Sequence, residues 1–150
     1  MAIVVDYSHI FNVINYALGR CKILDTYSRH CILELWGCHE AFLVDRHFIE
    51  KVMVNVALET GAEVREATFH AFTPQGVSGV VIISESHLSI HTFPEHGYAG
   101  VDIFTCGNEI DPKEAAHLIS KRLGAKKIYE LNMERGLGEI LIKREYKVEF

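Results

Sequence analysis

Apolar and polar residues alternate with a period of two in two stretches of the chain, residues 30–38 and residues 64–72. Successive side chains of a strand point to opposite faces of a sheet, so this alternation predicts two half-buried strands. The run at residues 80–83 is continuously apolar and β-branched, which is typical of a strand buried on both faces. No glycine or proline separates this run from the polar stretch that ends at Ser89. We therefore expect one continuous strand over residues 80–89.

Two other stretches carry apolar residues at helical spacing. The first begins after Asp45, a favourable N-cap, and Gly61 sits where the helix would end. The second begins after Asp111, has Pro112 in its first turn, where a missing N–H costs nothing, and is followed by Gly124. Each stretch therefore predicts one amphipathic helix that can cover a sheet face.

Shorter patterns complete the predicted order of elements. Residues 94–100 form a turn rich in Gly and Pro, and residues 101–105 return as a strand, which makes a hairpin. Residues 127–133 and 139–143 predict two more strands. Ser8 predicts the N-cap of a short helix that ends before Gly19.

This order of strands and helices predicts an α+β fold, a two-layer sandwich in which an antiparallel-rich sheet carries both main helices on one face. Residues 26–150 are expected to form one domain, and residues 1–25 an N-terminal extension packed on its surface. The chain has 150 residues, 49% of them hydrophobic, so a single domain can bury a core without disulfides.

Charge and composition limit the kind of partner. A net charge of -5 and a pI near 6.0 lack the excess of Lys and Arg that nucleic acid or an anionic membrane would require. No apolar run approaches the ~20 residues that span a bilayer, and no basic region precedes an apolar one at the N-terminus, so we expect a cytoplasmic protein. A small molecule or another protein is the expected partner.

The four cysteines, at positions 21, 31, 38 and 106, form no C-x-x-C pair. A zinc ribbon and a thioredoxin-type motif are therefore not predicted, and we expect reduced thiols, with Cys31 and Cys38 as packing residues. His87, His91 and His96 follow one another closely, but no third ligand at a metal-binding spacing accompanies the first two. No metal is predicted.

The most distinctive stretch covers residues 70–107 and reads HAFTPQGVSGVVIISESHLSIHTFPEHGYAGVDIFTCG. It resembles the short prokaryotic S-adenosylmethionine decarboxylases, carboxy-lyases that cut their own chain to make a pyruvoyl cofactor. The resemblance runs from about residue 29 to about residue 136. It implies self-cleavage between Glu85 and Ser86, with Ser86 becoming the pyruvoyl group that begins the second fragment. It also implies a homodimer with active sites shared between the protomers.

Self-cleavage of this kind needs help from neighbouring groups, because a serine hydroxyl is a poor nucleophile without a base or a strained peptide. His91 is the candidate helper when Ser86 attacks the carbonyl of Glu85. The attack gives an ester, and elimination then releases the Glu85 carboxylate and leaves dehydroalanine. Hydrolysis converts the dehydroalanine to a pyruvoyl group and ammonia, so no external cofactor is needed. Ser78, which matches the processing serine of the family, is expected to stabilise the oxyanion.

The resemblance also implies roles in substrate binding and turnover. The pyruvoyl ketone would form a Schiff base with the substrate amine and accept the electrons released as carbon dioxide leaves. Cys106, in the place of the family's proton donor, would then protonate the substrate. Phe72 would stack on the adenine, and Glu95 would bind the ribose hydroxyls. Phe93, where some members carry Trp, and Leu88 would line the pocket.

Taken without the resemblance, these residues have ordinary structural explanations. Cys106 at the end of a strand is typical of packing, Glu95 at a turn is typical of a solvated carboxylate, and Phe72 could simply cover the core. The patterns of the residues alone leave these explanations open.

Three functions are compatible with the sequence. The first is a decarboxylase of S-adenosylmethionine that supplies the aminopropyl donor for spermidine and other polyamines. The second is a pyruvoyl-dependent decarboxylase of arginine or ornithine, and the third is a processing-dead homologue with a regulatory role. Phe72 and Glu95 favour the first over the second, because a nucleoside gives both of them a partner. The presence of Ser78, Ser86, His91 and Cys106 favours an active enzyme over a dead homologue.

Overall fold

The computed structural model describes residues 26–84, 86–106 and 110–149, and it leaves out the side chains of residues 144–146 and 149. The helix predicted after Ser8, and the whole extension over residues 1–25, lie outside the described residues.

Seven strands and three α-helices make up the described part of the chain. The strands are β1 (Ser28–Trp36), β2 (Val64–Ala71), β3 (Val77–Ile83), β4 (Ser86–Phe93), β5 (Tyr98–Cys106), β6 (Lys127–Arg135) and β7 (Leu141–Glu149). The helices are α1 (Glu40–Leu43), α2 (Arg46–Glu59) and α3 (Pro112–Leu123). All seven strands belong to one antiparallel sheet with the order β2-β3-β4-β5-β1-β6-β7.

The core lies between this sheet and the two longer helices. Helix α2 packs on β2 and β3, and α3 packs on β1 and β5. Their apolar stripes, which include Ile49 and Ile119, bury the side chains of Leu33, Ile90 and Ile103 completely. We call this side of the sheet the inner face, and the opposite side, which no described element covers, the outer face. The predicted two-layer α+β fold is confirmed.

The helix ends form as the sequence predicts. Asp45 accepts a hydrogen bond of 3.0 Å from the Phe48 backbone N–H, and α2 follows it directly. Asp111 accepts one of 3.0 Å from the Lys113 N–H, and α3 begins at Pro112. Helix α1 was not predicted, because four residues are too few to show a helical period.

The predicted continuous strand over residues 80–89 is wrong, because the chain reverses in the middle of it. Strand β3 ends at Ile83, and β4 begins at Ser86 and runs back antiparallel to β3. Polar contacts hold the reversal: Ser84 N–H donates to the Glu63 carbonyl at 3.0 Å, and its hydroxyl donates to Glu63 Oε2 at 2.8 Å. Arg65 Nε donates to the same hydroxyl at 2.7 Å. Residues distant in sequence therefore support this turn, and no Gly or Pro marks it.

The end of the chain also differs from the prediction. A strand was expected over residues 139–143, but β7 begins later, at Leu141, and continues to Glu149. It pairs with β6 across a register shift between Asn132 and Met133. Strand β7 lies at the edge of the sheet, so one neighbour alone fixes its register and the sequence pattern sets its bounds poorly.

Candidate active site

Ser86 lies at the beginning of β4, where it pairs with Thr105 near the end of β5. It has a φ of 156°, and no other described residue except glycine has a positive φ. Residues other than glycine rarely adopt such a backbone conformation, and strain of this kind costs of order 1–3 kcal/mol. The Ser86 hydroxyl lies 3.4 Å from Nδ1 of His87. The residue predicted to become the cofactor is thus held in a strained conformation directly after the turn of the β3–β4 hairpin.

Two further residues of interest lie at this end of the sheet, which we call the Ser86 end. Cys106 ends β5 directly after Thr105 and is a partly exposed free thiol. Thr105 is 1% exposed, and its hydroxyl has no hydrogen-bond partner among the described residues. Leu88, predicted to line the substrate pocket, is buried on the inner face and belongs to the core.

The other two described cysteines behave as the sequence predicts. Cys31 and Cys38 are free thiols in the core. Burial raises the pKa of the Cys38 thiol to about 11, and it raises that of Cys31 as well, with Glu130 and Asp102 adding to the effect. Both therefore stay protonated at neutral pH, and their interpretation as packing residues is confirmed.

Ser78 and His91 form a pair at the opposite end of the same strands, which we call the His91 end. They are direct cross-strand partners on β3 and β4, and the Ser78 hydroxyl lies 2.8 Å from Nδ1 of His91. Both side chains lie on the outer face, where His91 is exposed. A hydroxyl in contact with an imidazole can exchange a proton with it, as acid–base chemistry requires.

The predicted substrate-binding side chains also lie at the His91 end. Glu95 belongs to a 3₁₀ turn, Pro94–His96, and its Oε2 accepts a hydrogen bond of 3.2 Å from Gln75 Nε2. Phe72 follows β2 and is 51% exposed, with its ring edge-on to His70. Phe93 is the last residue of β4 and stacks on Tyr98. An exposed aromatic ring and an exposed carboxylate therefore flank the Ser78–His91 pair.

The structure brings the predicted residues together in two groups and not in one. Ser86 and His91 are five residues apart on β4, which corresponds to about 17 Å at the rise of an antiparallel strand. Ser86 and Cys106 mark one end of the sheet. Ser78, His91, Phe72, Phe93 and Glu95 mark the other. No side chain of the described residues spans that distance.

A third cluster, which the sequence did not reveal, lies on the outer face near the Ser86 end. His30 Nε2 lies 3.0 Å from Asp102 Oδ1, and Arg135 Nη1 lies 3.2 Å from the other ring nitrogen of His30. The Arg135 guanidinium sits 4.9 Å from the centre of the Phe104 ring. Alternation could place His30 on the polar side of β1, but only the register of β1 with β5 and β6 shows which groups it meets.

A cavity of about 210 Å³ opens beside this cluster, between β1, β6, β7 and the start of α3. It contains none of the residues predicted for the active site. Its lining is mostly polar and charged: Arg29, His30, Asp111, Pro112, Lys113, Asn132, Met133, Glu134 and Lys143.

In the part of the chain that the structure describes, no helix is long and apolar enough to cross a membrane.

Comparison with known proteins places the chain in a family. The family model for S-adenosylmethionine decarboxylase matches residues 29–136. An S-adenosylmethionine decarboxylase proenzyme from Shouchella clausii is 58% identical over 117 residues, which cover 78% of this chain and 91% of that protein. One from Anoxybacillus flavithermus is 57% identical over 121 residues, which cover 81% of this chain and 97% of that protein.

A solved structure supports the same assignment. The crystal structure of the adenosylmethionine decarboxylase from Aquifex aeolicus superposes with a TM-score of 0.69 at 32% identity, covering 77% of this chain and 95% of that one. The two-layer fold and the motif at residues 70–107 thus define a decarboxylase whose relatives are described as proenzymes. The chain belongs to the S-adenosylmethionine decarboxylase family, and the family and enzyme class predicted from the sequence are confirmed.

Proposed function

We propose that this chain is a proenzyme that cuts itself between Glu85 and Ser86 and then decarboxylates S-adenosylmethionine. The observation that carries the proposal is the strained serine at the start of β4, in a chain of this family. The product would be an aminopropyl donor for polyamine synthesis. The pyruvoyl group would supply the ketone that condenses with the substrate amine and takes up the electrons of the breaking carbon–carbon bond.

Ser86 supplies the carbon atoms of that group and water supplies its ketone oxygen, so the chain can form the cofactor without an external precursor. Its hydroxyl attacks the carbonyl of Glu85, and the bond from that carbonyl to the Ser86 nitrogen breaks as the ester forms. His91 accepts the hydroxyl proton, while Ser78 donates a hydrogen bond to the oxyanion. Elimination then breaks the bond between the Ser86 β-carbon and its oxygen, which releases the Glu85 carboxylate and leaves dehydroalanine. Water adds to the imine tautomer of this dehydroalanine and ammonia leaves, so a ketone remains at the former α-carbon.

The separation of about 17 Å along β4 supports a site that a second chain completes. We propose that two copies stack their outer faces about a two-fold axis, so that the His91 end of one meets the Ser86 end of the other. The outer face suits an interface, because it exposes aromatic side chains. Trp36 is 41% and Phe93 is 43% exposed, and both contact the ring of Tyr98.

In such a dimer, the substrate lies between side chains of both copies. Phe72 presents an exposed ring for the adenine, and Glu95 presents carboxylate oxygens for the vicinal ribose hydroxyls. Gln75 holds that carboxylate through its side-chain amide. Cys106 from the other copy donates a proton to the substrate carbon that loses carbon dioxide.

Intact mass spectrometry of the purified protein tests the cleavage. We expect two fragments, residues 1–85 and 86–150, the second with the mass of a pyruvoyl N-terminus. Ser86→Ala should remain a single chain, whereas Ser89→Ala, a serine three residues along the same strand, should be cleaved. A homogeneous full-length mass after prolonged incubation of the unmodified protein would contradict the proposal.

Release of carbon dioxide from the processed protein tests the substrate. We expect turnover of S-adenosylmethionine and none of arginine or ornithine, since neither amino acid has an adenine for Phe72 or a ribose for Glu95. Release from a free amino acid, with none from the sulfonium nucleoside, would show that the chain belongs to a different substrate class.

A further inference from the structure

The Thr105 hydroxyl is a buried hydrogen-bonding group on β5, opposite Ser86. It is fully shielded from solvent, and among the described residues nothing accepts or donates a hydrogen bond to it. A buried polar atom in this condition destabilises a fold, and most buried hydroxyls have a partner. Valine has nearly the same shape and would fill this position of β5 without that penalty. The position therefore calls for an explanation other than packing.

The place of Thr105 in the sheet indicates where a partner could arise. Its direct partner on β4 is Ser86, and Cys106 follows it in the chain. Side chains of directly paired residues in antiparallel strands have β-carbons about 4.5–5.5 Å apart. The α-carbon of Ser86 carries no oxygen before cleavage, but after the proposed cleavage it carries a ketone oxygen, which is a hydrogen-bond acceptor.

We propose that the Thr105 hydroxyl donates a hydrogen bond to the ketone oxygen that processing creates at Ser86. This inference rests on the proposed function, because the acceptor exists only in the cleaved protein. The hydrogen bond fixes the orientation of the ketone at the end of the hairpin. When an amine adds to the ketone carbon, the electrons of the carbon–oxygen double bond move onto that oxygen, and a donor already in place stabilises the charge.

The first experiment measures how Thr105→Val changes the urea midpoint of unfolding in the uncleaved and in the cleaved protein. In the uncleavable Ser86→Ala background, the substitution should leave the urea midpoint of unfolding unchanged or raise it, because the hydroxyl lost there has no hydrogen-bond partner among the described residues. In the cleaved protein, the same substitution should lower the midpoint. An equal loss in both forms would overturn the inference, since it would show that the partner is a group of the chain present before cleavage.

The second experiment measures the ketone itself. Cleaved protein is treated with phenylhydrazine, and hydrazone formation is followed by absorbance and by the mass of the 86–150 fragment. We expect Thr105→Val to slow the labelling at least tenfold, because one preorganised donor to a developing oxyanion commonly changes a rate by ~10² or more. Thr105→Ser keeps the hydroxyl and should stay within about threefold of the unmodified protein. Ile103→Val, a buried change on the same face of β5, should have no effect.

Each remaining outcome is decisive. Cleaved Thr105→Val that reacts with phenylhydrazine at the original rate would overturn the inference while leaving the proposed function intact. Failure of Thr105→Val to cleave would also overturn it, because the hydroxyl would then act before the ketone exists. If the unmodified protein never yields a reactive ketone, the proposed function itself fails, and the full-length mass identifies that case.

Discussion

The Ser78 hydroxyl and the His91 imidazole lie 2.8 Å apart on paired positions of β3 and β4, on the exposed outer face of the sheet. The serine they are proposed to activate lies about 17 Å away along the same strand. Within one chain, the pair therefore has nothing to act on. In the proposed dimer, with the outer faces stacked about a two-fold axis, the same pair would face the Ser86 end of a second chain.

This relationship predicts complementation between two inactive variants. His91→Ala retains the attacking Ser86 but should cleave slowly on its own, because the base is missing from both copies. Ser86→Ala cannot be cleaved but retains Ser78 and His91. When the two are co-expressed, mixed dimers should form, and the His91→Ala chain in each mixed dimer should be cleaved with the help of its partner. With random pairing at equal amounts, about half of the His91→Ala chains should be processed.

The measurement is the mass of each chain, since the two variants and their fragments differ in mass. His91→Ala expressed alone at the same concentration is the control for residual cleavage. If the mixture shows no more cleavage than that control, although both variants are folded and dimeric, then the pair does not act across an interface between chains.

A second prediction concerns Glu95, whose carboxylate is exposed and held by Gln75 at 3.2 Å. Glu95→Gln keeps the size of the side chain but removes its charge, so hydrogen bonds from the ribose hydroxyls should weaken. A hydrogen bond to a charged group contributes about 1.5–3 kcal/mol, so kcat/KM should fall roughly ten- to a hundredfold, with a raised KM. Steady-state release of carbon dioxide from S-adenosylmethionine provides the measurement.

Glu114→Gln, an exposed change in the first turn of α3, controls for the loss of a negative charge as such. The cleaved fraction of each variant must be equal before the rates are compared. Unchanged kinetics for Glu95→Gln would show that this residue does not bind the substrate and is a solvated carboxylate, as its position in a turn first indicated.

The sequence predicted the elements of this fold better than their spatial arrangement. Local chemistry was sufficient where a feature depends on near neighbours, as for the caps at Asp45 and Asp111. It failed at the β3–β4 reversal, because Glu63 and Arg65 hold Ser84 from another strand. A pattern along one strand contains no information about such cross-strand support.

The candidate site shows the same limit. Resemblance to the family supplied the residue types, but it could not show that they occupy two ends of one sheet. That division follows from the hairpin, which places Ser78 beside His91 and Ile83 beside Ser86. The polar cluster around His30 was missed for the same reason, since Asp102 and Arg135 reach it only through the register of three strands.

A third prediction concerns stability in alkali. Burial raises the pKa of Cys38 from its ordinary 9.0 to about 11, so the unfolded chain releases this proton at a lower pH than the folded one. The protonated thiol makes its full contribution to the free energy of unfolding below about pH 9, and this contribution is lost as the pH rises toward 11. At pH 10.5 the loss should be about 2 kcal/mol of unfolding free energy.

Urea unfolding of the uncleaved Ser86→Ala protein at pH 8 and pH 10.5 measures this loss, with and without Cys38→Ala. The variant should lose less stability between the two pH values than its parent. Burial also raises the pKa of Tyr98, to about 12, but that group is present in both proteins and cancels in the comparison. An identical loss in the two proteins would show that the Cys38 thiol titrates normally.

The last prediction concerns Cys106, the partly exposed thiol that ends β5 beside Thr105. If it donates the proton to the substrate carbon, Cys106→Ala should still be cleaved to some extent, because Ser86, His91 and Ser78 remain. Decarboxylation by the cleaved variant should fall by ~10²–10⁴, the usual contribution of a positioned acid. Cys106→Ser should also lose most of its activity, since a hydroxyl is a much weaker acid than a thiol.

Single-turnover release of carbon dioxide by cleaved Cys106→Ala separates proton transfer from product release, and Cys38→Ala controls for the loss of a thiol elsewhere. The mass of the 86–150 fragment after turnover adds a second test. Without a proton donor beside the substrate carbon, protonation can occur instead on the carbon that came from Ser86. The fragment would then begin with an alanine-like group, which cannot form a Schiff base with another substrate molecule. Cleaved Cys106→Ala that turns over at the original rate, with an unchanged fragment mass, would leave the thiol only the packing role that the end of a strand suggests.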